Sequence, residues 1–467
     1  MFEDIFFLNA NEALRVAFKQ NRTSANLLQI CYYTGEKIES ELVNLIHLPF
    51  ENFVDNLSKG TYRLPTKIDF TGLELSSEIK LDITNNFTIL LEQAQQFRNE
   101  FNIEYVKAFK NAKLNFHEPL RFYLVASSNT NVMQYITKNL VDTIKDMGYN
   151  VLFDLQTGIE DTECLKTVFL FNPHIIININ HLNNHSLNDD ILNFIWFQDV
   201  MPSLTNNSNI TLRKNDFVFH LTLGIKNHLL KHDIQSIYQP FCVNTKLYKN
   251  REEIQRVHKI VFIGSSYKRV FDTIENNVKY EICDYLLKEY LNNGYMQQKD
   301  RATIVKKYDI DSFILGQIFN YVERDLLLKY IINLDLDIKI ELYGYGWDLD
   351  DEFKQYNQGV LPYGKEISKV YNSAKYTLVL GGYVLQQRTL EAAASGTIPL
   401  VFDVRKDNDE NDKCFNESLI FFKTPDELSE ILTQNVKKEL ECIVNEHSYK
   451  KFVTKILKIA NEKISEK

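Results

Sequence analysis

The sequence contains no long apolar run and no long basic block. No stretch of its 467 residues approaches the roughly 18 apolar residues of a membrane-spanning helix. The net charge of −9 does not supply the basic field with which nucleic-acid binders displace counterions. The first fifteen residues carry acids where a secretion signal carries a basic stretch. These absences predict a cytoplasmic protein with no transmembrane segment and no nucleic-acid partner.

Paired cysteines and dinucleotide motifs are missing as well. The six cysteines are scattered without a CxxC pair: Cys31, Cys164, Cys242, Cys283, Cys414 and Cys442. This spacing predicts reduced, mostly buried thiols rather than a disulfide framework or a zinc site. No GxGxxG motif occurs, which disfavours a nicotinamide-dependent dehydrogenase.

Strands alternate with helices in two successive sets along the chain. The first set occupies about residues 116–250 and the second about 251–445, and residues 1–115 form a mainly helical α/β extension. This alternation predicts parallel sheets covered by helices on both faces, with the ligand in a cleft between two Rossmann-like halves. The stretch at about 275–335 is too long for a simple crossover and predicts a helical insertion. Residues 446–467 are predicted to form a final helix.

The most informative segment runs from Tyr376 to Phe402. Its pattern predicts a strand, a turn at Gly381 and Gly382, a helix and a second strand. A glycine turn before a helix is a natural anion site, because free backbone amides and the helix dipole point there. Arg388 and Glu391 lie three residues apart on one face of that helix. Arg388 then reinforces the anion site and Glu391 accepts hydrogen bonds from sugar hydroxyls; alternatively, the two form an ordinary solvent-facing ion pair.

The segments GSSYKR, LYGYGW, YGKEISKVYNSAKYTLVL and QQRTLEAAASGTIPLVFD resemble, in that order, the C-terminal domain of GT-B glycosyltransferases. They are most similar to the CgeB-like group, which is related to glycosyltransferase family 4. PHIIININ and IWFQDVMPS resemble the N-terminal domain of the same group. The likeness covers about residues 120–460. It implies two Rossmann-like domains that face a cleft, and an enzyme that transfers a sugar from a nucleotide sugar to an acceptor.

The resemblance also implies roles for individual residues. Glu391 matches the glutamate that binds the ribose, and Arg388 matches a basic position suited to the diphosphate. Gly264 and Ser265 match the glycine turn that faces the diphosphate. Gly344 and Tyr363 match loops around the nucleoside, and Tyr363 is the candidate for stacking on the base. Tyr383 departs from the family, because many family 4 enzymes carry a second glutamate there. The donor sugar and the stereochemical course are therefore unassigned.

Glycosyl transfer requires a neutralised leaving diphosphate and a proton acceptor for the attacking hydroxyl. Backbone amides near Gly382 and Ser265, together with Arg269 or Lys268, are candidates for the first task without a metal. Asp199, directly after the strand FIWFQ, is the preferred proton acceptor.

Two alternatives to this assignment stay open. His181, at the end of the strand PHIIININ, is the second candidate for the proton acceptor. Asp199 is otherwise expected to cap a turn before Pro202.

Metal sites and other functions receive less support from the sequence. Asp348-Leu349-Asp350 has the DxD form of metal-dependent transferases, but DxD recurs at 309–311 and 335–337, so no metal cofactor is expected. The acceptor is expected to be a glycan or a protein such as flagellin. Two alternatives are a nucleotide-sugar epimerase or hydrolase on the same fold and a non-catalytic scaffold. The sequence leaves the oligomeric state open.

Overall fold

The computed structural model describes residues 4–23, 30–40, 42, 44–59, 64–127, 131–156, 162–205, 210–334, 336–407, 414–434 and 436–466. Unit 1 comprises Met1–Phe219, His228–Ile237 and Ile456–Lys467, and unit 2 comprises His220–Asn227 and Tyr238–Lys455. Residues 1–115 belong to unit 1, and the predicted domain boundaries stay predictions. Three sheets in these units confirm the α/β class with Rossmann-like parallel sheets.

The N-terminal extension contains a small parallel sheet that the sequence analysis did not predict. Its strands are β1 (Ile5–Phe7), β2 (Cys31–Tyr33), β3 (Leu45–His47) and β4 (Lys67–Asp69), in the order β3-β2-β1-β4. Its helices are α1 (Ala10–Thr23), α2 (Phe53–Ser58) and α3 (Ser77–Lys110). The Ser76 side chain accepts a hydrogen bond from the backbone N–H of Ile79 and caps α3. Three-residue strands are too short to show an alternating pattern, so only the helices were predictable.

The second sheet also lies mainly in unit 1. Its strands are β5 (Arg121–Ser127), β6 (Asn150–Gln156), β7 (Ile175–Ile179), β8 (Leu192–Phe197), β9 (Asp216–His220) and β10 (Ile237–Tyr238). Their order is β10-β9-β8-β7-β5-β6. The accompanying helices are α4 (Asn131–Asp146), α5 (Thr162–Phe171), α6 (Pro202–Thr205) and α7 (Leu223–Leu230). Every residue of β7 and β8 is buried, which explains their nearly continuous apolar sequences.

The third sheet forms the centre of unit 2 and is entirely parallel. Its strands are β11 (Val257–Ile263), β12 (Lys339–Tyr343), β13 (Ala374–Val379), β14 (Ile398–Phe402) and β15 (Ile420–Phe422), in the order β12-β11-β13-β14-β15. Tyr376 of β13 pairs with Ile398 of β14, so the predicted strand–helix–strand unit is confirmed.

Helices lie before and after β12 in the described chain, and the bounds of the predicted helical insertion stay a prediction. The helices before β12 are α8 (Lys268–Asp272), α9 (Lys279–Asn293), α10 (Gln298–Tyr308), α11 (Ser312–Tyr321) and α12 (Leu327–Ile332), with a π-helical segment, Val322–Leu326, joining the last two. Those after β12 are α13 (Lys365–Ser373), α14 (Gln387–Ala394), α15 (Phe415–Ser418), α16 (Pro425–Leu432), α17 (Glu441–Glu446) and α18 (Tyr449–Ser465). In the described part of the chain, none of the helices combines the length and apolar character that crossing a membrane requires.

The prediction that all cysteines are reduced is wrong for one pair. Cys414 and Cys442 form a disulfide, although 28 positions separate them in the sequence. The packing of α15 against α17 brings them together, and linear spacing does not reveal such a contact. Cys31, Cys242 and Cys283 are buried, as predicted. The side chain of Cys164 lies outside the described residues.

Candidate functional site

The strand order of the third sheet reverses between β11 and β13. Ligands of open parallel sheets bind at such a switch point, beyond the carboxyl ends of the two strands. Gly264 directly follows β11, and Gly381 and Gly382 follow β13 after Leu380. Two glycine turns that were predicted from the sequence therefore lie on the neighbouring strands that define the switch point.

A third glycine, Gly344, permits close contact between the loops after β11 and β12. Its φ is 143°, and a Cβ at this position would lie 2.3 Å from the carbonyl oxygen of Gly264. The same carbonyl accepts a 2.8 Å hydrogen bond from Nε1 of Trp347, and the Gly264 N–H donates to Tyr343 O at 2.8 Å. Any side chain at Gly344 would separate these loops.

The side chain of Gln386 stabilises the loop between β13 and α14 with hydrogen bonds to its backbone. Gly381 has a φ of 112°, and the side-chain amide of Gln386 donates to the carbonyl oxygens of Leu380 at 2.9 Å and Tyr383 at 3.2 Å. A Cβ at Gly382 would meet no neighbour within 4 Å, and Tyr383 is 40% exposed. An open turn with an exposed aromatic ring therefore precedes α14.

Arg388 and Glu391 form an ion pair, with 2.5 Å between Nη1 and Oε2. The Glu391 side chain is 1% exposed and the Arg388 side chain 36%, so the alternative of a solvent-facing pair is wrong for the carboxylate. Burial raises the pKa of Glu391 above its usual range, and the Arg388 guanidinium opposes that rise. Burial lowers the pKa of Arg388, but the combined influence of Glu391, Tyr371 and Tyr248 outweighs it and the net direction is upward.

Three tyrosines that adjoin this pair include Tyr363, the predicted base-stacking residue. The Gln387 side-chain amide donates to Oε1 of Glu391 at 3.0 Å and to the Tyr363 hydroxyl at 3.2 Å. The Tyr248 ring packs edge-on against Tyr363. The Tyr248 hydroxyl lowers the pKa of Glu391 and so partly opposes the effect of burial. Tyr248, Tyr371 and Gln387 were missed, because no motif marks them in the sequence.

A cation that the sequence analysis did not identify contacts the glycine turn, and the predicted roles of Arg269 and Lys268 stay predictions. Arg269 is exposed on α8 and has no ion pair among the described residues, while Lys268 pairs with Asp272. Arg324, on the π-helical segment, instead donates from Nη1 to the carbonyl oxygen of Ser265 at 3.0 Å. The sequence does carry a signal for it: Glu323, Arg324 and Asp325 are three consecutive charges within an otherwise apolar helical stretch.

The two predicted proton acceptors follow adjacent strands of the second sheet. His181 comes shortly after β7 and Asp199 shortly after β8, and both residues are exposed. Asn180, with a left-handed φ of 62°, donates from Nδ2 to Asp199 Oδ2 at 2.9 Å and accepts from the Asp199 N–H at 3.1 Å. Nearby protein atoms displace part of the water around the His181 ring, which lowers its pKa even though the residue is exposed overall. Asn180 therefore orients Asp199, and sequence reasoning did not identify it.

Gln198 is a second residue at this strand end that sequence reasoning missed. Its backbone N–H donates to Asn180 Oδ1 at 2.7 Å. The side chain is buried, and neither its Oε1 nor its Nε2 has a hydrogen-bond partner within the described ranges. A buried amide without hydrogen-bond partners is energetically costly.

Within the portion of the chain that the structure describes, no three His, Cys, Asp or Glu residues are grouped so that they would hold a metal ion. Asp348 lies in a 3₁₀ turn, Trp347–Leu349, and Asp335 lies outside the described residues.

Residues 324–458 match a protein-family model described as glycosyl transferase-like. This region begins in the π-helical segment and includes Gly344, Tyr363, Gly382, Arg388 and Glu391. The match supports the predicted class of enzyme, a glycosyltransferase. The finer likeness to the CgeB-like group stays a prediction. No curated protein matches the chain.

Solved structures with a similar course of chain include several glycosyltransferases. AviGT4, described as involved in avilamycin A biosynthesis, is 11% identical, with a TM-score of 0.44 over 73% of this chain and 97% of its own. The catalytic domain of starch synthase IV from Arabidopsis thaliana, bound to ADP and acarbose, is 10% identical, with a TM-score of 0.40 over 74% and 99%. SnogD from Streptomyces nogalater is 9% identical, with a TM-score of 0.34 over 73% and 100%.

Proposed function

We propose that the protein transfers a sugar from a nucleotide-sugar donor, held by unit 2, to a glycan or protein acceptor without a metal cofactor. The observation that carries this proposal is the glycosyl transferase-like match over residues 324–458. The match includes the glycine turn after β13 and the Arg388–Glu391 pair. Both lie on the strand–helix unit that adjoins the switch point of the third sheet.

The donor diphosphate is proposed to bind at the turns that follow β11 and β13. The turn at Gly382 has open space around it and precedes α14, whose first amides lack intrahelical partners. Cationic side chains would neutralise the charge that develops on the leaving diphosphate, which is the task that a divalent metal performs in other transferases.

Glu391 is the proposed ribose ligand, and its burial sets a condition on that role. Gln387 and Arg388 each donate to one of its two carboxylate oxygens. Every carboxylate oxygen accepts more than one hydrogen bond, so capacity for ribose hydroxyls remains. Because the side chain is 1% exposed, the side chains that cover it have to move before a pentose can reach it.

The chemical step transfers the anomeric carbon of the sugar. The acceptor oxygen forms a bond to this carbon while the bond between the carbon and the diphosphate oxygen breaks. The acceptor proton passes to the Asp199 carboxylate, and the negative charge stays on the released diphosphate. Asn180 suits this proposal, because it fixes one Asp199 oxygen and leaves the other carboxylate oxygen for the acceptor.

Nucleotide binding is the first test. UDP, GDP, CMP and dTDP are added separately, and thermal unfolding is followed for each, since a ligand that binds only the native state raises the melting temperature. We expect one of them to stabilise the protein in a concentration-dependent manner. Indifference to all four contradicts the proposal and favours a non-catalytic scaffold.

Two variants test the assigned roles. Glu391→Gln keeps the shape of the buried side chain and is expected to weaken donor binding, whereas Asp199→Asn is expected to preserve donor affinity and lower turnover. Full activity of Asp199→Asn would show that the base assignment is wrong. Incubation with the nucleotide sugar alone separates transfer from the alternatives, because free isomerised sugar indicates an epimerase and free unchanged sugar a hydrolase.

A further inference from the structure

The helical insertion between β11 and β12 ends in an unusual segment. Val322–Leu326 is π-helical, and this rare geometry is frequent at functional sites. The segment carries Glu323, Arg324 and Asp325 in succession. Glu323 and Asp325 are buried and Arg324 is half-buried. Placing three consecutive charged side chains at least partly out of water is unfavourable unless each of them has a partner.

The two carboxylates of this segment are fully engaged within the protein. Glu323 accepts hydrogen bonds of 2.6 Å from the Tyr290 hydroxyl and from Nη2 of Arg301. Asp325 accepts from the Ser266 hydroxyl and, at 3.0 Å, from the Tyr267 N–H. Glu323 thus attaches the segment to the insertion, and Asp325 attaches it to the loop after β11.

Arg324 lies between these two anchors and reaches the turn at the switch point. Its Nη1 donates to Ser265 O at 3.0 Å and lies 3.8 Å from the position of a Cβ on Gly264. The guanidinium carbon is 4.5 Å from the centre of the Tyr267 ring, which orients its plane. The side chain is therefore held in place beside Gly264 and Ser265.

No carboxylate forms an ion pair with Arg324 in the described part of the chain, and its buried Nε has no hydrogen-bond partner there. Among the other cations near the site, Lys268 pairs with Asp272 and Arg388 with Glu391, whereas Arg269 is exposed and has no ion pair in the described part of the chain. A half-buried guanidinium without a counterion is unfavourable unless an anion completes the site.

We propose that Arg324 binds the diphosphate of the nucleotide-sugar donor, and that the helical insertion serves to deliver this guanidinium to the Gly264–Ser265 turn. The inference rests on the proposed function and adds to it a ligand-contacting residue from outside the strand–helix units. A guanidinium suits this task, because its planar fork matches phosphate oxygens with two parallel hydrogen bonds. The two flanking carboxylates keep the fork in position before the ligand arrives.

The test compares nucleoside diphosphates with their nucleosides. Affinities of UDP, GDP, ADP and dTDP, and of uridine, guanosine, adenosine and thymidine, are measured by calorimetry for the wild type, Arg324→Met and Lys288→Met. Lys288 is an exposed cation on α9 of the same insertion, so its variant makes the same change of charge away from the turn. For the diphosphate that binds the wild type, we expect Arg324→Met to lose about 10- to 100-fold in affinity. Affinity for the matching nucleoside is expected to stay within twofold, and Lys288→Met is expected to resemble the wild type.

Arg324→Lys covers the case in which the methionine variant does not fold. It keeps the charge but not the fork, and a partial loss of diphosphate affinity with unchanged nucleoside affinity is expected. Wild-type affinity for the diphosphate in a folded Arg324 variant overturns the inference and leaves the proposed function standing. A larger loss in Arg269→Met than in Arg324→Met also overturns it. If no diphosphate binds the wild type, the proposed function and the inference fall together.

Discussion

Asp325 is a buried carboxylate whose ionisation opposes folding. Burial raises its pKa from 3.8 to about 6, and the hydrogen bonds from Ser266 and Tyr267 offset only part of that rise. Because the native state holds the proton more tightly than the unfolded chain does, this group favours folding most strongly at acidic pH. Its contribution is lost as the pH rises from about 3.8 to about 6.

The variant Asp325→Asn is expected to remove this dependence on pH. Relative to the variant, the wild type should lose about 2 kcal/mol of unfolding free energy between pH 4 and pH 7, because a shift of one pKa unit corresponds to about 1.4 kcal/mol and part of the effect is already lost at pH 4. Urea denaturation of both proteins at half-unit steps of pH measures the difference. A constant difference across the range would show that Asp325 has an ordinary pKa in the folded protein.

The Arg388–Glu391 pair illustrates how far single residues are predictable. Its spacing of three placed both side chains on one face of a helix, and the structure confirms their contact. The near-complete burial of Glu391 was not predictable, because it depends on Tyr248, Tyr363 and other residues distant in the sequence. The role of Arg324 was hidden for the same reason, since 59 positions separate it from the Ser265 carbonyl that it contacts.

At the scale of elements, Gly344 is the residue on which the junction of the β11 and β12 loops depends. Gly344→Ala adds a Cβ that would lie 2.3 Å from Gly264 O and forces an unfavourable φ, so we expect a loss of at least about 3 kcal/mol of stability. Chemical denaturation measures this loss.

Gly359→Ala is the matched control for this substitution. Gly359 also has a positive φ, 85°, but a Cβ there would have no neighbour within 4 Å. Only the backbone strain of about 1–2 kcal/mol is expected. Equal losses in the two variants would show that the contact with Gly264 is unimportant.

The buried strands were the most predictable elements. Continuous apolar sequences such as those of β7, β8 and β13 gave their positions to within one or two residues, because strands buried on both faces have no polar alternation. The short strands β1 and β2 were not predicted, since three residues are too few to establish a two-residue alternation of apolar and polar side chains. The π-helical segment was not predicted either, because it differs from an α-helix in its hydrogen-bond register and not in its side-chain pattern.

At the scale of the whole molecule, α18 contributes to both units. Its first part, to Lys455, belongs to unit 2, and its remainder, from Ile456, belongs to unit 1. Its buried side chains are Tyr449, Phe452, Val453, Ile456, Leu457 and Ala460. The buried side chains of this one helix therefore belong in part to unit 1 and in part to unit 2.

Truncation after Ser448 is expected to abolish cooperative folding. Each large buried apolar side chain stabilises the native state by about 1.5–3 kcal/mol, so the loss is comparable to the whole stability of about 5–15 kcal/mol. Truncation after Glu462 removes only residues beyond the last buried one and is expected to have little effect. Circular dichroism during urea titration compares the two, and a wild-type midpoint for the shorter protein would contradict the expectation.

The disulfide between Cys414 and Cys442 makes the thiol content of the buffer a variable of every measurement on this protein. Closing a loop of 28 residues restricts the unfolded chain by an amount worth about 3–4 kcal/mol. Dithiothreitol should therefore lower the melting temperature of the wild type and leave that of Cys414→Ser unaffected. Because α17 packs against α14, opening the bond also loosens the support of the helix that carries Glu391. Two laboratories that purify the same sequence with and without a reductant should obtain two different stabilities.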